Sequence, residues 1–233
     1  LPVSGRAVGA DESAATNLYV MVGTYSTGVG YIATSTDAQT WTTRVSTVIN
    51  PVWSIDYQSG KFAAGRVGYA EVSTDGIAWA SKLIESGKSI EGIQYFDGMY
   101  IAFSGATGEI YYSYDTDTWI EAFDGTNSNK IVNAVYVNGR LIAYTGKSGV
   151  GKKLMSYDGN DWLLTEPSGI TAPVGLLFNR TCYYMGIIVS AGVWYDGVTL
   201  KPVTITSTDG GLTEQMNIIE SLSGKQFLDM AYG

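Results

Sequence analysis

The chain has 233 residues and a formal net charge of −8, and only 15% of its residues are charged. An acidic surface repels nucleic acid and anionic membranes, so we predict neither as a partner, and no apolar run is long enough for membrane insertion. The sequence has no histidine and one cysteine, Cys182, which excludes an intrachain disulfide and removes the usual general base and most zinc sites. We therefore predict neither a cofactor nor a metal ion.

The N-terminal segment, residues 1–16, is small and polar and lies outside any repeated pattern. We predict that it is an arm or linker. The predicted domain spans residues 17–233 and opens with a strand at residues 18–23, an apolar run that ends in glycine.

A short phrase then recurs five times: Ser, any residue, Asp, a turn and, in four copies, Trp. We call these segments boxes 1 to 5, and they start at Ser35, Ser73, Ser113, Ser156 and Ser207. Successive starts are 38 to 51 residues apart. A repeat of about 40 residues that is rich in strand-forming residues indicates a propeller.

A hairpin is predicted before boxes 2, 3 and 4. Its two-residue turns are Ser59-Gly60, Asp97-Gly98 and Asn138-Gly139, because Gly and Asn adopt the positive φ angles that such turns need. We name the strands of this hairpin a and b. A strand c leads into the box and a strand d leaves it, so each unit predicts a four-stranded antiparallel blade.

The fifth and first units depart from this pattern. We predict the fifth a–b hairpin from residues 176–178 and 181–185, without a glycine at its turn, and an insertion around Trp194. The first unit lacks a strand a, and residues 227–232 resemble the strands a of the next two units. We predict that this C-terminal strand completes the first blade. The fold class is therefore an all-β, five-bladed β-propeller, closed so that no sheet edge is exposed.

The boxes resemble the Asp-box (BNR) motif, which in loose form reads Ser-x-Asp-x-Gly-x-x-Trp and occurs in sialidases and many unrelated β-propellers. An Asp at such a hairpin accepts bonds from backbone N–H groups two or three residues on. We therefore interpret five residues as structural, with a calcium or sugar site as the lesser alternative: Asp37, Asp75, Asp115, Asp158 and Asp209. Box 5 has Thr213 near the Trp position, so we expect looser packing at its outer edge.

Catalysis has limited support. Sialidases, which the boxes resemble, use three Arg, a Tyr–Glu pair and an Asp in a six-bladed ring with an early Arg-Ile-Pro, and this chain has five Arg but no Arg-Ile-Pro. The alternative is a five-bladed glycoside hydrolase in which Asp56 and Asp229 face the channel, with Glu91 as a third carboxylate, since two carboxylates suffice for hydrolysis. The other interpretation is that these residues hydrate a narrow channel.

Recognition residues are predicted at the ends of the blades opposite the boxes, where the b–c and d–a loops vary. Aromatic, amide and cationic side chains there provide a flat face for stacking together with fixed hydrogen-bonding groups. The predicted ligand-binding residues are Tyr25, Trp53, Arg66, Asn127, Lys147 and Trp194. Trp53 has an alternative interpretation as a plug of the channel.

Similar Asp-box propellers occur in tailed-phage virions and in secreted microbial lectins. Together with the acidic, Gly- and Tyr-rich composition, this resemblance implies a non-catalytic recognition domain: a phage virion or tail protein that binds a cell-surface glycan or protein receptor and contacts other virion subunits. A location in the virion or outside the cell follows. The alternatives are a secreted lectin, a glycoside hydrolase, and an architectural virion subunit without a soluble ligand.

Overall fold

The computed structural model describes residues 7–9, 18–45, 50–125, 130–145, 152–168 and 176–219. The regular elements of these ranges are twenty β-strands, grouped into five antiparallel sheets of four strands each. This confirms the predicted all-β architecture with four strands per unit. No helix in the described ranges is long and apolar enough to cross a membrane.

The sheets follow one another along the chain. Sheet 1 contains β1 (Ala7–Gly9), β2 (Tyr19–Thr24), β3 (Gly30–Ser35) and β4 (Thr42–Val45). Sheet 2 contains β5 (Val52–Gln58), β6 (Lys61–Arg66), β7 (Tyr69–Ser73) and β8 (Ala80–Leu83). Sheet 3 contains β9 (Ile90–Phe96), β10 (Met99–Ser104), β11 (Ile110–Ser113) and β12 (Ile120–Phe123). Sheet 4 contains β13 (Val135–Val137), β14 (Arg140–Thr145), β15 (Lys152–Ser156) and β16 (Leu163–Thr165). Sheet 5 contains β17 (Leu176–Tyr184), β18 (Ile187–Tyr195), β19 (Leu200–Ser207) and β20 (Gln215–Ile218).

The chain divides into two compact units. Unit 1 comprises Leu1–Ser104 and Ile110–Glu121, and unit 2 comprises Gly105–Glu109 and Ala122–Gly233. Sheets 1 and 2 and most of sheet 3 therefore belong to unit 1, and sheets 4 and 5 belong to unit 2.

Apolar side chains pack between successive sheets within each unit. In unit 1, Val20 and Ile32 of sheet 1 pack with Ile55 and Phe62 of sheet 2. In unit 2, Ile142 and Tyr144 of sheet 4 pack with Phe178, Ile188 and Val203 of sheet 5. Full burial of one such side chain contributes about 1.5–3 kcal/mol, so these contacts hold each sheet against the next.

The a–b turns lie at the same end of the sheets as the boxes. In sheet 2, the box residue Ser73 pairs with Phe62, the second residue after the Ser59-Gly60 turn. Ser156 in sheet 4 pairs with Leu141 in the same relation to Asn138-Gly139. The b–c turns are therefore at the opposite end of each sheet, as predicted.

The predicted hairpin of the fifth unit is wrong. Strand β17 runs without interruption from Leu176 to Tyr184 and the turn is Met185-Gly186, since Tyr184 pairs with Ile187. Both turn residues have positive φ, 46° for Met185 and 88° for Gly186, as a two-residue hairpin requires. Asn179 forms a bulge in the middle of β17, which explains why the sequence resembled two shorter strands there. The insertion at Trp194 extends the β18–β19 hairpin at its b–c end.

The prediction for the first blade is also corrected. Strand β1 lies beside β2, with Ala7 opposite Met21 and Gly9 opposite Tyr19, at the position predicted for residues 227–232. Part of the predicted arm therefore forms a strand. Closing a short connection costs less entropy than joining the two ends of the chain, which favours this local partner. Residues 227–232 lie outside the described residues.

Candidate functional site

The Asp of each box fixes its own turn. In box 2, the Ser73 hydroxyl donates to Asp75 Oδ1 at 3.0 Å and accepts from the backbone N–H of Gly76 at 2.8 Å. Asp75 Oδ1 also accepts from the N–H groups of Ile77 and Ala78, both at 2.8 Å. The other boxes repeat these bonds from Ser hydroxyl and backbone N–H to the Asp carboxylate. The predicted structural role of these residues is confirmed.

These bonds also fix the ionisation of the carboxylates. Donation by backbone N–H groups lowers the pKa of Asp37, Asp75, Asp115 and Asp158, and in box 5 the Thr213 hydroxyl is the largest cause that lowers the pKa of Asp209. A carboxylate held in its ionised form does not donate a proton near neutral pH. The box residues are therefore unsuited to general acid catalysis.

Box 5 replaces its missing Trp with a buried ion pair. Thr213 Oγ1 donates to Asp209 Oδ2 at 2.6 Å, and the next residue, Glu214, is only 2% exposed. Glu214 Oε1 accepts from Lys153 Nζ at 2.7 Å and from the Tyr144 hydroxyl at 3.1 Å. Thr213 itself is exposed where the Trp residues of the other boxes are half-buried, as expected, while the adjacent Glu214 is enclosed by a polar network.

The carboxylate of Asp56 is engaged by the backbone. Its Oδ1 accepts from the N–H of Tyr57 at 3.0 Å, and its Oδ2 accepts from the N–H of Tyr95 at 2.8 Å. The side chain thus joins β5 to β9 of the neighbouring sheet. The predicted partner Asp229 lies outside the described residues, and Glu91 is half-buried at a bulge of β9.

Tyr25 lies at the b–c end of sheet 1, as predicted. It is 46% exposed, and its ring centroid is 5.0 Å from that of Tyr31 at an interplanar angle of 45°. A Cβ at Gly23 would lie 2.7 Å from the Tyr31 hydroxyl, so the absent side chain of Gly23 makes room for this ring. The Tyr25 N–H donates to Val29 O at 2.8 Å and closes the turn.

Trp53 and Arg66 lie at the same end of sheet 2. Trp53 is half-buried and forms a bulge, because Val52 pairs with Arg66 and Ser54 pairs with Gly65. The start of β3 packs on the chain leading into β5, since Gly30 faces Asn50 O and Val52. The turn that carries Tyr25 therefore adjoins the strand that carries Trp53.

The guanidinium of Arg66 is held by its own sheet. Its Nε donates to Glu71 Oε1 and its Nη2 to Ser81 Oγ, at 2.5 and 3.2 Å, and its carbon lies 4.1 Å from the centre of the Tyr69 ring. The Glu71 side chain is 3% exposed, so the pair is shielded from water. Arg66 thus anchors Tyr69 at this end of the sheet, and Tyr31 and Tyr69 are site residues that the sequence prediction missed.

We name this group the loop-end surface of unit 1; its members are Tyr25, Tyr31, Trp53, Arg66 and Tyr69. Trp194 belongs to unit 2, where it packs against the core of sheets 4 and 5 and lies 5.7 Å from Lys201 Nζ. Asn127 and Lys147 lie outside the described residues. The structure therefore brings three of the six predicted residues to neighbouring strand ends. Within the described ranges, no cluster of three His, Cys, Asp or Glu side chains forms a metal site.

No protein-family model and no curated protein matches the chain. Among solved structures, it is similar to the GH74 enzyme of Niastella koreensis, with a TM-score of 0.63, 17% identity and coverage of 88% of this chain but 37% of that one. It is also similar to the Aleuria aurantia lectin in complex with Fucα1-6GlcNAc, with a TM-score of 0.53, 13% identity, and coverage of 93% and 79%.

A second structure of that lectin, described as a six-bladed β-propeller with a novel fucose recognition mode, gives a TM-score of 0.52 at 13% identity. It covers 94% of this chain and 78% of the lectin chain. At such identities the likeness concerns the fold alone. The sheets of this protein are therefore of the β-propeller type, and the chain spans about a third of the length of the GH74 enzyme.

Proposed function

We propose that this chain is a non-catalytic recognition domain that binds a saccharide through the loop-end surface of unit 1. The observation that carries the proposal is the aromatic group at that end, where the exposed Tyr25 adjoins the strand of Trp53. Aromatic faces stack on the apolar face of a sugar ring, and nearby polar groups orient its hydroxyls. The similarity in fold to a fucose-binding lectin is consistent with this use.

The carboxylates of unit 1 favour binding over hydrolysis. A glycosidase needs one carboxyl group that gives up a proton and a second that attacks or activates water. Both oxygens of Asp56 accept backbone N–H bonds, and Glu71 is paired with Arg66. The side chain of Asp56 is thus engaged in joining β5 to β9, which favours a structural role for it.

We also propose a setting for this domain. Five four-stranded sheets support a single five-bladed propeller, and the Ser–Asp–backbone bonding of all five boxes supports their membership of the Asp-box (BNR) class. The composition and this resemblance support a location in a phage virion or outside the cell, with a cell-surface glycan or protein as receptor. In a virion, other subunits would be further partners.

A glycan array tests the proposal. The wild-type chain is displayed as a multimer beside Tyr25→Ala, Trp53→Ala and the control Tyr114→Ala, which removes an exposed Tyr at the box end of the same unit. We expect the first two variants to lose signal at least about tenfold, since one stacked ring contributes about 1 kcal/mol or more per site and multivalency amplifies the loss.

Release of reducing sugar from the array-positive glycan provides the enzymatic control. Release that Asp56→Asn abolishes would overturn the non-catalytic assignment. Equal loss of signal in Tyr114→Ala and Tyr25→Ala would overturn the assignment of the surface. Tyr25→Ala keeps the test informative if Trp53→Ala fails to fold, because Tyr25 is exposed in a turn, whereas Trp53 is half-buried.

A further inference from the structure

Two grooves in unit 1 lie beside boxes 1 and 2, at the end of the sheets opposite the loop-end surface. Groove 1 has a volume of about 180 Å³ and is lined by Leu18, Thr34, Thr36, Thr40, Thr42 and Arg44, together with the box serine. Groove 2 has a volume of about 280 Å³ and is lined by the polar residues Lys61, Thr74, Lys82, Thr116 and Asp117, by the apolar residues Val72, Ala78 and Ala80, and by the box serine.

The two grooves occupy equivalent positions of the repeat. Ser35 pairs with Tyr19 and Ser73 pairs with Phe62, so Leu18 and Lys61, which precede those partners, correspond. Arg44 and Lys82 are each the third residue after the Trp of their box. Each groove therefore has a basic side chain at the same distance along the chain from its box Trp, with Arg44 at a bulge of β4 and Lys82 paired with Ala70.

This basic position is confined to the first two boxes. The third residue after the Trp is Ala122 in sheet 3 and Thr165 in sheet 4. The residue before the box serine is Thr34 in sheet 1 but Val72 in sheet 2. The Thr that both grooves share is the residue after the box serine, Thr36 and Thr74. The combination of the cation with this Thr is therefore found in sheets 1 and 2, and the turn chemistry of the boxes does not require it.

Arg44 retains most of its hydrogen-bonding capacity. Its Nε donates to Thr34 Oγ1 at 2.7 Å, which holds the side chain along groove 1. The other guanidinium N–H groups have no acceptor among the described residues. A guanidinium binds a carboxylate through two parallel bonds, so groove 1 is suited to a ligand with that group.

In groove 2 the corresponding cation, Lys82, is already paired with an acidic residue of the same chain. Lys82 forms an ion pair with Asp117 of box 3, and the two side chains are 35% and 59% exposed. Lys61 Nζ is held by Asp115 O at 2.8 Å. The residue of box 2 that corresponds to Asp117 is the neutral Ile77. A partly exposed pair of this kind is weak because water and salt screen it, so a ligand carboxylate can exchange with Asp117.

We propose that the two grooves bind hexuronate units, saccharide rings that bear a carboxylate, with Arg44 and Lys82 as the carboxylate partners. Thr hydroxyls donate and accept as sugar hydroxyls do, and Leu18 offers an apolar surface to the ring. The volumes lie below the range of about 300–1,000 Å³ for drug-sized ligands, which fits a single ring. The proposal deepens the saccharide-binding function but uses a separate surface.

Titration calorimetry at low ionic strength tests it, with trigalacturonate as the probe and the neutral galactose trisaccharide as the matched control. We expect roughly millimolar affinity for the acidic sugar, weakened by added salt, and little binding of the neutral one. Arg44→Gln should lose about tenfold or more, because a charge-assisted bond is removed. Asp117→Asn should gain affinity at groove 2, since Lys82 is released.

Lys152→Gln is the charge-matched control, because it removes one surface cation of unit 2 and should leave binding unchanged. The proposal would be overturned by equal binding of both sugars or by equally tight binding of inorganic phosphate. It would also be overturned by an unchanged affinity in Arg44→Gln or by a loss of affinity in Asp117→Asn. Failure here with an intact Tyr25-dependent array signal overturns the grooves alone. The reverse result overturns the loop-end surface alone.

Discussion

The buried ion pair of box 5 gives a quantitative prediction. Substitution of Glu214 by Ala leaves the ammonium of Lys153, the hydroxyl of Tyr144 and the N–H of Ser168 without their carboxylate acceptor. The Lys153 side chain is 5% exposed, so water does not replace the lost partner. Removal of one member of a buried ion pair costs about 3–5 kcal/mol. This is a large part of the free energy of unfolding of a typical domain, which is about 5–15 kcal/mol.

The paired substitution separates charge from packing. In Lys153→Met with Glu214→Leu, both charges are replaced by apolar groups of similar size, and such exchanges are often neutral or stabilising. We therefore expect the double variant to recover the part of the free energy of unfolding that is lost through the unpaired Lys153 charge, while the Tyr144 hydroxyl and the Ser168 N–H still lack their acceptor. Urea denaturation followed by tryptophan fluorescence measures these differences at constant m-value.

Two results would contradict the stabilising role of this ion pair. A loss below about 1 kcal/mol in Glu214→Ala would mean that the pair does not replace the missing Trp of box 5, since the loss would equal that of an exposed pair. A double variant as unstable as the single one would mean that the shape of the side chains matters and the charge does not.

Three further predictions concern stability. Met185→Asn should raise the free energy of unfolding by about 0.5–1 kcal/mol in urea titrations, because Asn tolerates the positive φ of this exposed turn position better. The N–H groups of Thr199 and Val198 lower the pKa of Asp196 to about 2, and the pKa values of the box carboxylates are also lowered. These ionised carboxylates stabilise the folded state above the unfolded-state pKa of about 3.9, and their contribution is lost as the pH falls through the folded-state pKa values. Thermal unfolding at pH 5 and pH 2 checks this, and equal midpoints would contradict it. Burial raises the pKa of Tyr144, so its contribution to the free energy of unfolding is present below about pH 10 and is lost as the pH rises further. Above about pH 10, the free energy of unfolding of Tyr144→Phe should therefore fall less steeply with pH than that of the wild type.

The repeat was predictable because its signals are local. Each box carries its hydrogen-bonding partners within five residues, so Ser73 and Asp75 determine their turn whatever packs around them. The turns Asp97-Gly98 and Asn138-Gly139 likewise contain the residues that positive φ favours. These features predicted four strands per unit and the end at which each box lies.

The errors arose where tertiary structure overrides local preference. Met185 is an unusual residue at positive φ, so the true turn of sheet 5 was not recognised. The corrected register places Arg180 level with Ser54, since each pairs with the fifth residue of its strand b. The pairing of β1 with β2 likewise depends on chain connection, which composition does not reveal.

The candidate site was only partly predictable. Tyr25 and Trp53 could be assigned to one end of the sheets from strand order alone. The buried partner of Arg66 is Glu71, which lies diagonally across β6 and β7, and this contact follows only from the register. The equivalence of Arg44 and Lys82 could have been found by counting from the box Trp residues.

Chemical-shift mapping by NMR, with the best glycan of the array as ligand, locates the binding surface directly. We expect the largest amide shifts at Tyr25, Tyr31 and Trp53, recovery of the ligand intact, and loss of the shifts in Tyr25→Ala. Shifts centred on Asp56 together with cleavage of the glycan would contradict the proposed non-catalytic function.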